Sequence, residues 1–329
     1  MKDIKTVGII GLGALGVLYS HLFTQGLGQD RVMVLADGDR IARYKRDGVY
    51  LNGQLCAFNY TDAAAIAEPV DLLLFAVKFG GLEGAISTCR HLVGPDTTII
   101  SVLNGITSEE VLAQAFGREK LVWCVAQKMS AVKEGNHAVI SPFGELALGV
   151  PAGMDRSRLE ALLRLMDSIR FPYVLPEDIL RHMWSKLLVN TGCNQAAMVF
   201  QCGYGGLKTG QPAHDTMVGA MEEVMAVANA EGIHLTQADI QGWVELIDGF
   251  PDQGEPSMRQ DGKAHRKSES QHPVRMDEAC HRQAVFGLVI QNAVAAGNEG
   301  PRLVHLVVAA PQQLVHCLLG HGFRNGHNV

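Results

Sequence analysis

The sequence predicts an α/β protein, with a doubly wound parallel sheet in its N-terminal half followed by an all-α C-terminal domain. Three observations carry this reading. Short β-branched apolar runs alternate with helical stretches through the first half, strand signals stop near residue 177, and long helical periods take over.

The runs at 7–10, 32–36, 71–77, 97–103 and 121–126 read as strands. They are apolar throughout and separated by helical segments, which indicates a sheet covered on both faces. Between them, 15–25, 41–47 and 81 to about 91 are the helix candidates. Residues 137–141 and 145–148, joined around Pro142-Phe143-Gly144, look like a hairpin. Residues 156–169 place Leu159, Leu162, Leu163 and Met166 at helical spacing. Helices are then expected over 179–200, 214–231 and 237–249. Pro176, just before Glu177-Asp178, resembles a helix start with acidic residues in the first turn. The domain boundary is expected there, giving domains 1–176 and 177–329. A loop rich in Pro, Gly, Ser and charge, 251–270, interrupts the helical domain, and no internal repeat is visible.

A chain of 329 residues fits two domains. Its 47% hydrophobic and 19% charged residues are those of a soluble globular protein. The net charge of −6 argues against nucleic acid, since phosphate binding needs a basic face. No apolar run reaches the roughly 18–20 residues that span a bilayer. The N-terminal apolar run is too short for a signal peptide and turns into a glycine loop. Seven cysteines, scattered and never spaced as CxxC, suit free thiols and a cytoplasmic location. No HxxxH or HExxH pattern occurs, and no metal site is expected.

The first strand runs straight into Gly11-Leu12-Gly13-Ala14-Leu15-Gly16, a GxGxxG loop that opens a helix. Gly11 permits the tight turn, Gly13 lets backbone approach a pyrophosphate, and Gly16 lets helix and strand pack closely. The helix N-terminus then presents free N–H groups and a positive dipole end to phosphates. This is the fingerprint of a Rossmann-type, dinucleotide-binding domain. Asp37 ends the second strand, 21 residues after Gly16. A carboxylate there can bond the ribose 2′-OH and repel a 2′-phosphate, which favours NADH. It can equally begin the turn Asp37-Gly38-Asp39, and nearby Arg40 and Arg43 can meet a 2′-phosphate, so both nucleotides stay open.

In such a sheet, ligands lie beyond the carboxyl ends of the strands. Lys78 and Asn104 occupy that edge, as cofactor- or substrate-holding groups or as ordinary solvated strand ends. In the second domain, Lys186, Asn190 and Asn194 stand four residues apart. Four residues advance a helix by about 400°, so the three polar heads form one stripe. That stripe is either substrate-facing or a solvated polar face.

Together these residues resemble the ketopantoate reductase (2-dehydropantoate 2-reductase) family. The matching elements are G-L-G-A-L-G, A-V-K at 76–78, L-N-G at 103–105, W-S-K-L-L-V-N-T-G-C-N at 184–194 and P-S-M-R-Q-D at 256–261, followed by R-K-S-E at 266–269. The resemblance implies NADPH-dependent reduction of a 2-oxo acid, with ketopantoate reduced to (R)-pantoate for pantothenate and coenzyme A synthesis. It implies that Gly11, Leu12, Gly13, Ala14, Leu15 and Gly16 hold the pyrophosphate. Lys78 and Asn104 would line the cofactor and substrate site, and Ala126 would contact the cofactor. Lys186 matches the proton donor, while Asn190, Asn194 and Ser257 match substrate contacts, and Glu269 matches a glutamate at the cofactor–substrate junction. Helical second domains often mediate dimers, so a homodimer is an open expectation.

Two departures qualify the resemblance. Tyr204 stands where the family pattern can offer an asparagine, which leaves other branched 2-oxo acids such as 2-oxoisovalerate open as substrates. After Glu269 the resemblance stops, and 270–329 contains no lysine but six histidines. That segment reads either as divergence or as the product of an altered reading frame. The second case would leave a catalytically impaired dinucleotide-binding protein.

Overall fold

The computed structural model describes residues 2–263. The chain divides into two compact units, one ending at Trp184 and the next beginning at Ser185.

The first unit opens with β1 (Val7–Ile10), α1 (Ala14–Leu27), β2 (Val32–Leu35) and α2 (Gly38–Asp47). It continues through β3 (Tyr50–Leu51), β4 (Gln54–Leu55), β5 (Asn59–Thr61), β6 (Leu72–Phe75), α3 (Leu82–Cys89), β7 (Thr98–Ser101) and α4 (Ser108–Phe116). Then come β8 (Trp123–Gln127), β9 (Ala131–Glu134), β10 (His137–Ile140), β11 (Glu145–Gly149), α5 (Ser157–Ser168) and β12 (Tyr173–Val174).

The main sheet has the order β5-β2-β1-β6-β7, with parallel pairing throughout. A parallel bridge from Ile99 to Leu121 brings β8 alongside β7. Counting only these parallel strands, the spatial order is 3-2-1-4-5-6, that of a dinucleotide-binding sheet. The apolar runs are continuous because alternate residues feed two different cores. Val7, Ile9, Leu72, Leu74, Ile100 and Cys124 meet Val17, Leu18 and Phe23 of α1 and Leu162 and Met166 of α5. Ile10, Leu73, Phe75, Ile99 and Trp123 meet Leu82 and Ile86 of α3 and Leu112 of α4.

The expected hairpin does not form. His137–Ile140 pairs antiparallel with β9 and parallel with β3, whereas Glu145–Gly149 pairs with β8 and β12. The alternation of residues is that of strands, but their partners lie elsewhere in the chain. Antiparallel hairpins are closed instead at Asn52-Gly53, between β3 and β4, and at Gly135-Asn136, between β9 and β10. The Asn136 side-chain amide donates to the Asp47 and Gly48 carbonyls at 2.7 Å. The edge strand β5 and the short β3, β4, β9 and β12 carry no continuous apolar run and were not expected.

The second unit is helical in its described part. The long α6 (Ile179–Val199) begins in the first unit and continues into the second, followed by α7 (His214–Ala230), α8 (Gln237–Asp248) and α9 (Ser257–Lys263). Asp178 does not join the first turn of α6 but caps it, accepting from the backbone N–H groups of Leu180 and Arg181. A Thr236–Asp239 capping box starts α8. The segment 251–270, expected as loop, contains α9. No helix among the described residues is long and apolar enough to cross a membrane.

Candidate functional site

In the first unit the glycine loop is built by close backbone approach. Gly11 has φ +96°, and a Cβ there would lie 2.7 Å from the Ala76 carbonyl and the Val77 nitrogen. A Cβ at Gly16 would stand 1.9 Å from the Gly11 carbonyl oxygen. Gly13 is different: it is exposed, and the nearest atom to a Cβ would be Ala76 O at 3.8 Å. Its backbone is therefore open on the side a ligand would approach. No side chain caps α1 at Gly13, so the N-terminal N–H groups of this 14-residue helix remain available to an anion. These features fit a dinucleotide pyrophosphate. Leu12 is buried and Leu15 packs against the same core, so both have only backbone to offer a cofactor.

Asp37 sits at the N-terminus of α2. One carboxylate oxygen accepts from the Arg40 N–H at 2.8 Å, and the other lies 3.4 Å from the Arg40 guanidinium. It caps a helix that begins at Gly38, where the sequence offered a turn, and its side chain stays 61% exposed. Arg43 lies over the Tyr44 ring. Lys78 follows β6 and is exposed, directly after Ala76 and Val77, whose backbone packs against Gly11. Asn104, which is exposed, follows β7 beside Gly105 at φ +99°. Ala126 is buried near the carboxyl end of β8. Gly11, Lys78 and Asn104 therefore belong to the carboxyl edge of the parallel sheet, where a doubly wound fold binds its ligands, and Ala126 lies at the same end of the adjoining β8.

In the second unit, Lys186, Asn190 and Asn194 are half-buried on α6. Gly192 lies two residues from both asparagines, about 200° around the helix. A Cβ there would meet Met221 and the Met217 carbonyl at 2.7 and 2.8 Å, so α7 covers that opposite face. The polar stripe thus points away from α7 at this level. The far end of α6 meets α9: Met258 N–H donates to Asn194 Oδ1 at 3.4 Å, and Arg259 donates to the Gln201 carbonyl at 3.2 Å. A Cβ at Gly262 would reach the Met198 side chain at 2.8 Å. Exposed Ser257, adjacent to Met258, is thereby brought to the Asn194 end of the stripe. Tyr204 packs edge-on against Phe250, and burial pushes its phenol up to about 12. Glu269 lies outside the described residues.

Comparison with known proteins settles the family. The model described as ketopantoate reductase PanE/ApbA matches residues 7–153, and its C-terminal counterpart matches 178–274. The chain belongs to the ketopantoate reductase family. The 2-dehydropantoate 2-reductase of Salmonella typhi is 27% identical over 266 residues, covering 80% of this chain and 84% of that protein. The one from Aquifex aeolicus is 22% identical over 221 residues, covering 67% and 71%. Among solved structures, 2-dehydropantoate 2-reductase from Geobacter metallireducens has TM-score 0.72 at 24% identity, covering 94% of this chain and 99% of that one. D-mandelate dehydrogenase with NADH and anilino(oxo)acetate has TM-score 0.72 at 19% identity, with the same coverage. A dimeric ketopantoate reductase from Staphylococcus aureus has TM-score 0.69 at 19% identity, again covering 94% and 99%. These structures share the fold, a parallel sheet unit followed by a helical one.

Ser101, Ser108 and Glu109 form a buried polar group at the same sheet edge, and no motif or spacing in the sequence singles them out. As sequence, Ser108-Glu109-Glu110 reads as a solvated acidic first turn of a helix.

Proposed function

We propose that this protein reduces ketopantoate to (R)-pantoate with a nicotinamide dinucleotide, the step that supplies pantoate to pantothenate and coenzyme A synthesis. The observation that carries this reading is the bond from Met258 N–H to Asn194 Oδ1. It joins the Lys186–Asn190–Asn194 stripe to the Ser257 segment, two motifs of the family that are more than sixty residues apart in sequence.

When bound, the dihydronicotinamide supplies hydride to the keto carbon. The chain supplies the rest. The Lys186 ammonium stabilises charge on the developing alkoxide and then gives it a proton, while Asn190, Asn194 and Ser257 hold the acid's polar groups. Gly11 to Gly16, Lys78, Asn104 and Ala126 hold the dinucleotide, with Asn104 also a substrate contact; for Glu269 the family resemblance alone suggests a role. Asp37 favours NADH, because its exposed carboxylate would meet a 2′-phosphate with like charge; family resemblance favours NADPH. A homodimer accords with the dimeric Staphylococcus aureus relative.

Tyr204 supports a second reading. A bulky ring in place of a small amide changes the end of the site and favours another 2-oxo acid, such as 2-oxoisovalerate or an aryl-substituted one. The deciding experiment follows dihydronicotinamide absorbance with ketopantoate and 2-oxoisovalerate, each with NADPH and NADH. Fastest turnover with ketopantoate is expected. Preference for 2-oxoisovalerate would replace the substrate assignment, and dinucleotide binding without oxidation would replace the enzyme by a non-catalytic binding protein.

A further inference from the structure

A buried carboxyl lies behind the Asn104 loop. Glu109, in the first turn of α4, is 1% exposed, and Ser108 and Ser101 beside it are 2% and 1% exposed. Ser108 Oγ donates to Glu109 Oε2 at 2.9 Å. With its one proton so engaged, Ser108 accepts from Ser101 Oγ across 2.8 Å. Ser101 in turn accepts from the Leu103 N–H at 3.3 Å. The donors therefore run in one direction, from the residue preceding Asn104, through two hydroxyls, to the carboxyl. The second oxygen, Glu109 Oε1, is buried without a hydrogen-bond partner.

A structural role alone does not call for this arrangement. An unpartnered buried carboxylate oxygen destabilises the fold, and an apolar residue would fill the place without that cost. Perturbed carboxyls of this kind collect where a site needs a tunable group.

We propose that Glu109 is a positioning residue for the Leu103-Asn104-Gly105 loop, holding it through Ser108 and Ser101 in the form that receives dinucleotide and substrate. The inference rests on the reading of Asn104 given above. Proton loss from Glu109 makes it the stronger acceptor, which shortens the bond from Ser108 and, through it, those from Ser101 and Leu103, and tightens the loop. Burial pushes this carboxyl up to about 7, and the charge of neighbouring Glu110 acts in the same direction. Among the described residues, the elements packed against α4 supply no counter-charge that bonds to it. β7 has no charged side chain, and α3 carries Glu83 and Cys89. In the turn after α4, Arg118 pairs with Glu110, Lys120 donates to the Gly94 carbonyl, and Glu119 is acidic. Arg90, just past α3, donates to the Ala115 carbonyl.

The test measures dinucleotide Kd by fluorescence, KM for the 2-oxo acid, kcat and Tm across the neutral range, for wild type, Glu109→Gln and Ser101→Ala. Wild-type Kd and KM should fall about fivefold or more as pH rises past neutrality, a modest coupling between sites, while kcat changes less. Glu109→Gln should hold its low-pH Kd throughout. Ser101→Ala cuts the relay but leaves the carboxyl titrating, so it should lose the pH dependence of Kd and keep that of Tm. Wild-type pH dependence of Kd retained in both variants would overturn the proposal while leaving the functional reading intact. Absence of dinucleotide binding by the wild type at every pH would overturn the functional reading itself.

Discussion

The indole N–H of Trp243 on α8 donates to the Ser185 hydroxyl on α6 across 2.9 Å, one residue before Lys186. The bond fixes the rotation of α6 about its axis at the level where the proposed proton donor emerges. Trp243→Phe keeps most of the ring but leaves Ser185 without this donor. A loss of about 1 kcal/mol is expected in urea unfolding. If the bond orients Lys186, kcat falls several-fold while dinucleotide Kd stays unchanged; equal kcat in the two proteins would confine the bond to stability.

Lys186→Ala should lower kcat by ~10²–10⁴-fold, the usual contribution of a positioned general acid. The dinucleotide loop belongs to the other compact unit, so Kd for the cofactor should stay within about twofold of wild type, well short of the tenfold that 1.4 kcal/mol represents. Near-normal turnover in steady-state assays would remove Lys186 from the chemistry.

Asp37 has two duties that substitution can separate. Asparagine caps a helix about as well as aspartate, whereas alanine costs about 1 kcal/mol. Asp37→Asn should therefore leave Tm unchanged and shift the Kd ratio towards NADPH by removing the charge. Asp37→Ala should shift the ratio similarly and lower Tm as well. An unaltered ratio in both variants would make Asp37 a cap and nothing more.

Gly16 and Gly13 should fail in different ways. A methyl at Gly16 collides with the Gly11 carbonyl oxygen 1.9 Å away, so Gly16→Ala should destabilise the unit by about 1–3 kcal/mol as overpacking does. A methyl at Gly13 meets nothing nearer than 3.8 Å, so Gly13→Ala should fold normally and lose dinucleotide affinity. Calorimetry of the two apo variants and titration with NADH distinguish these outcomes.

The raised pKa of Glu109 also makes stability depend on pH. Its ordinary value is 4.5 and its folded value about 7, so the folded state binds the proton more tightly. That contribution is complete below 4.5 and is lost as pH rises through about 7. The loss amounts to about 3 kcal/mol. Glu109→Gln should remove this slope from unfolding free energies measured between mildly acidic and mildly alkaline pH. An identical slope in the variant would place the titrating group elsewhere.

Apart from its edge strand β5, the central sheet was legible because strands buried on both faces are apolar at nearly every position. Leu72 to Phe75 declare themselves without knowledge of their neighbours. Tyr50–Leu51 does not, because its strand character comes from pairing with His137–Ala138, nearly ninety residues later. The same non-locality produced the mistaken hairpin, since alternation marks a strand but not its partner. In the helical unit the 3.6-residue period by itself puts Lys186, Asn190 and Asn194 on one face. The approach of the Ser257 segment to Asn194 depends on α9 packing at the end of α6, and a loop-like composition concealed that helix.

The sequence alone determined the nucleotide fold, the turn at Gly11, the stripe on α6 and the resemblance to a reductase family. Each depends on local stereochemistry or helical period, properties that a short stretch of chain possesses by itself. Only the tertiary structure decided that Asp37 caps α2, that Met258 reaches Asn194, and that Glu109 is buried with one oxygen unpartnered. Capping depends on where a helix begins, and burial depends on what packs above a residue. The charge state of Glu109 is set by the water that the fold excludes, and no pattern of neighbouring residues records that exclusion.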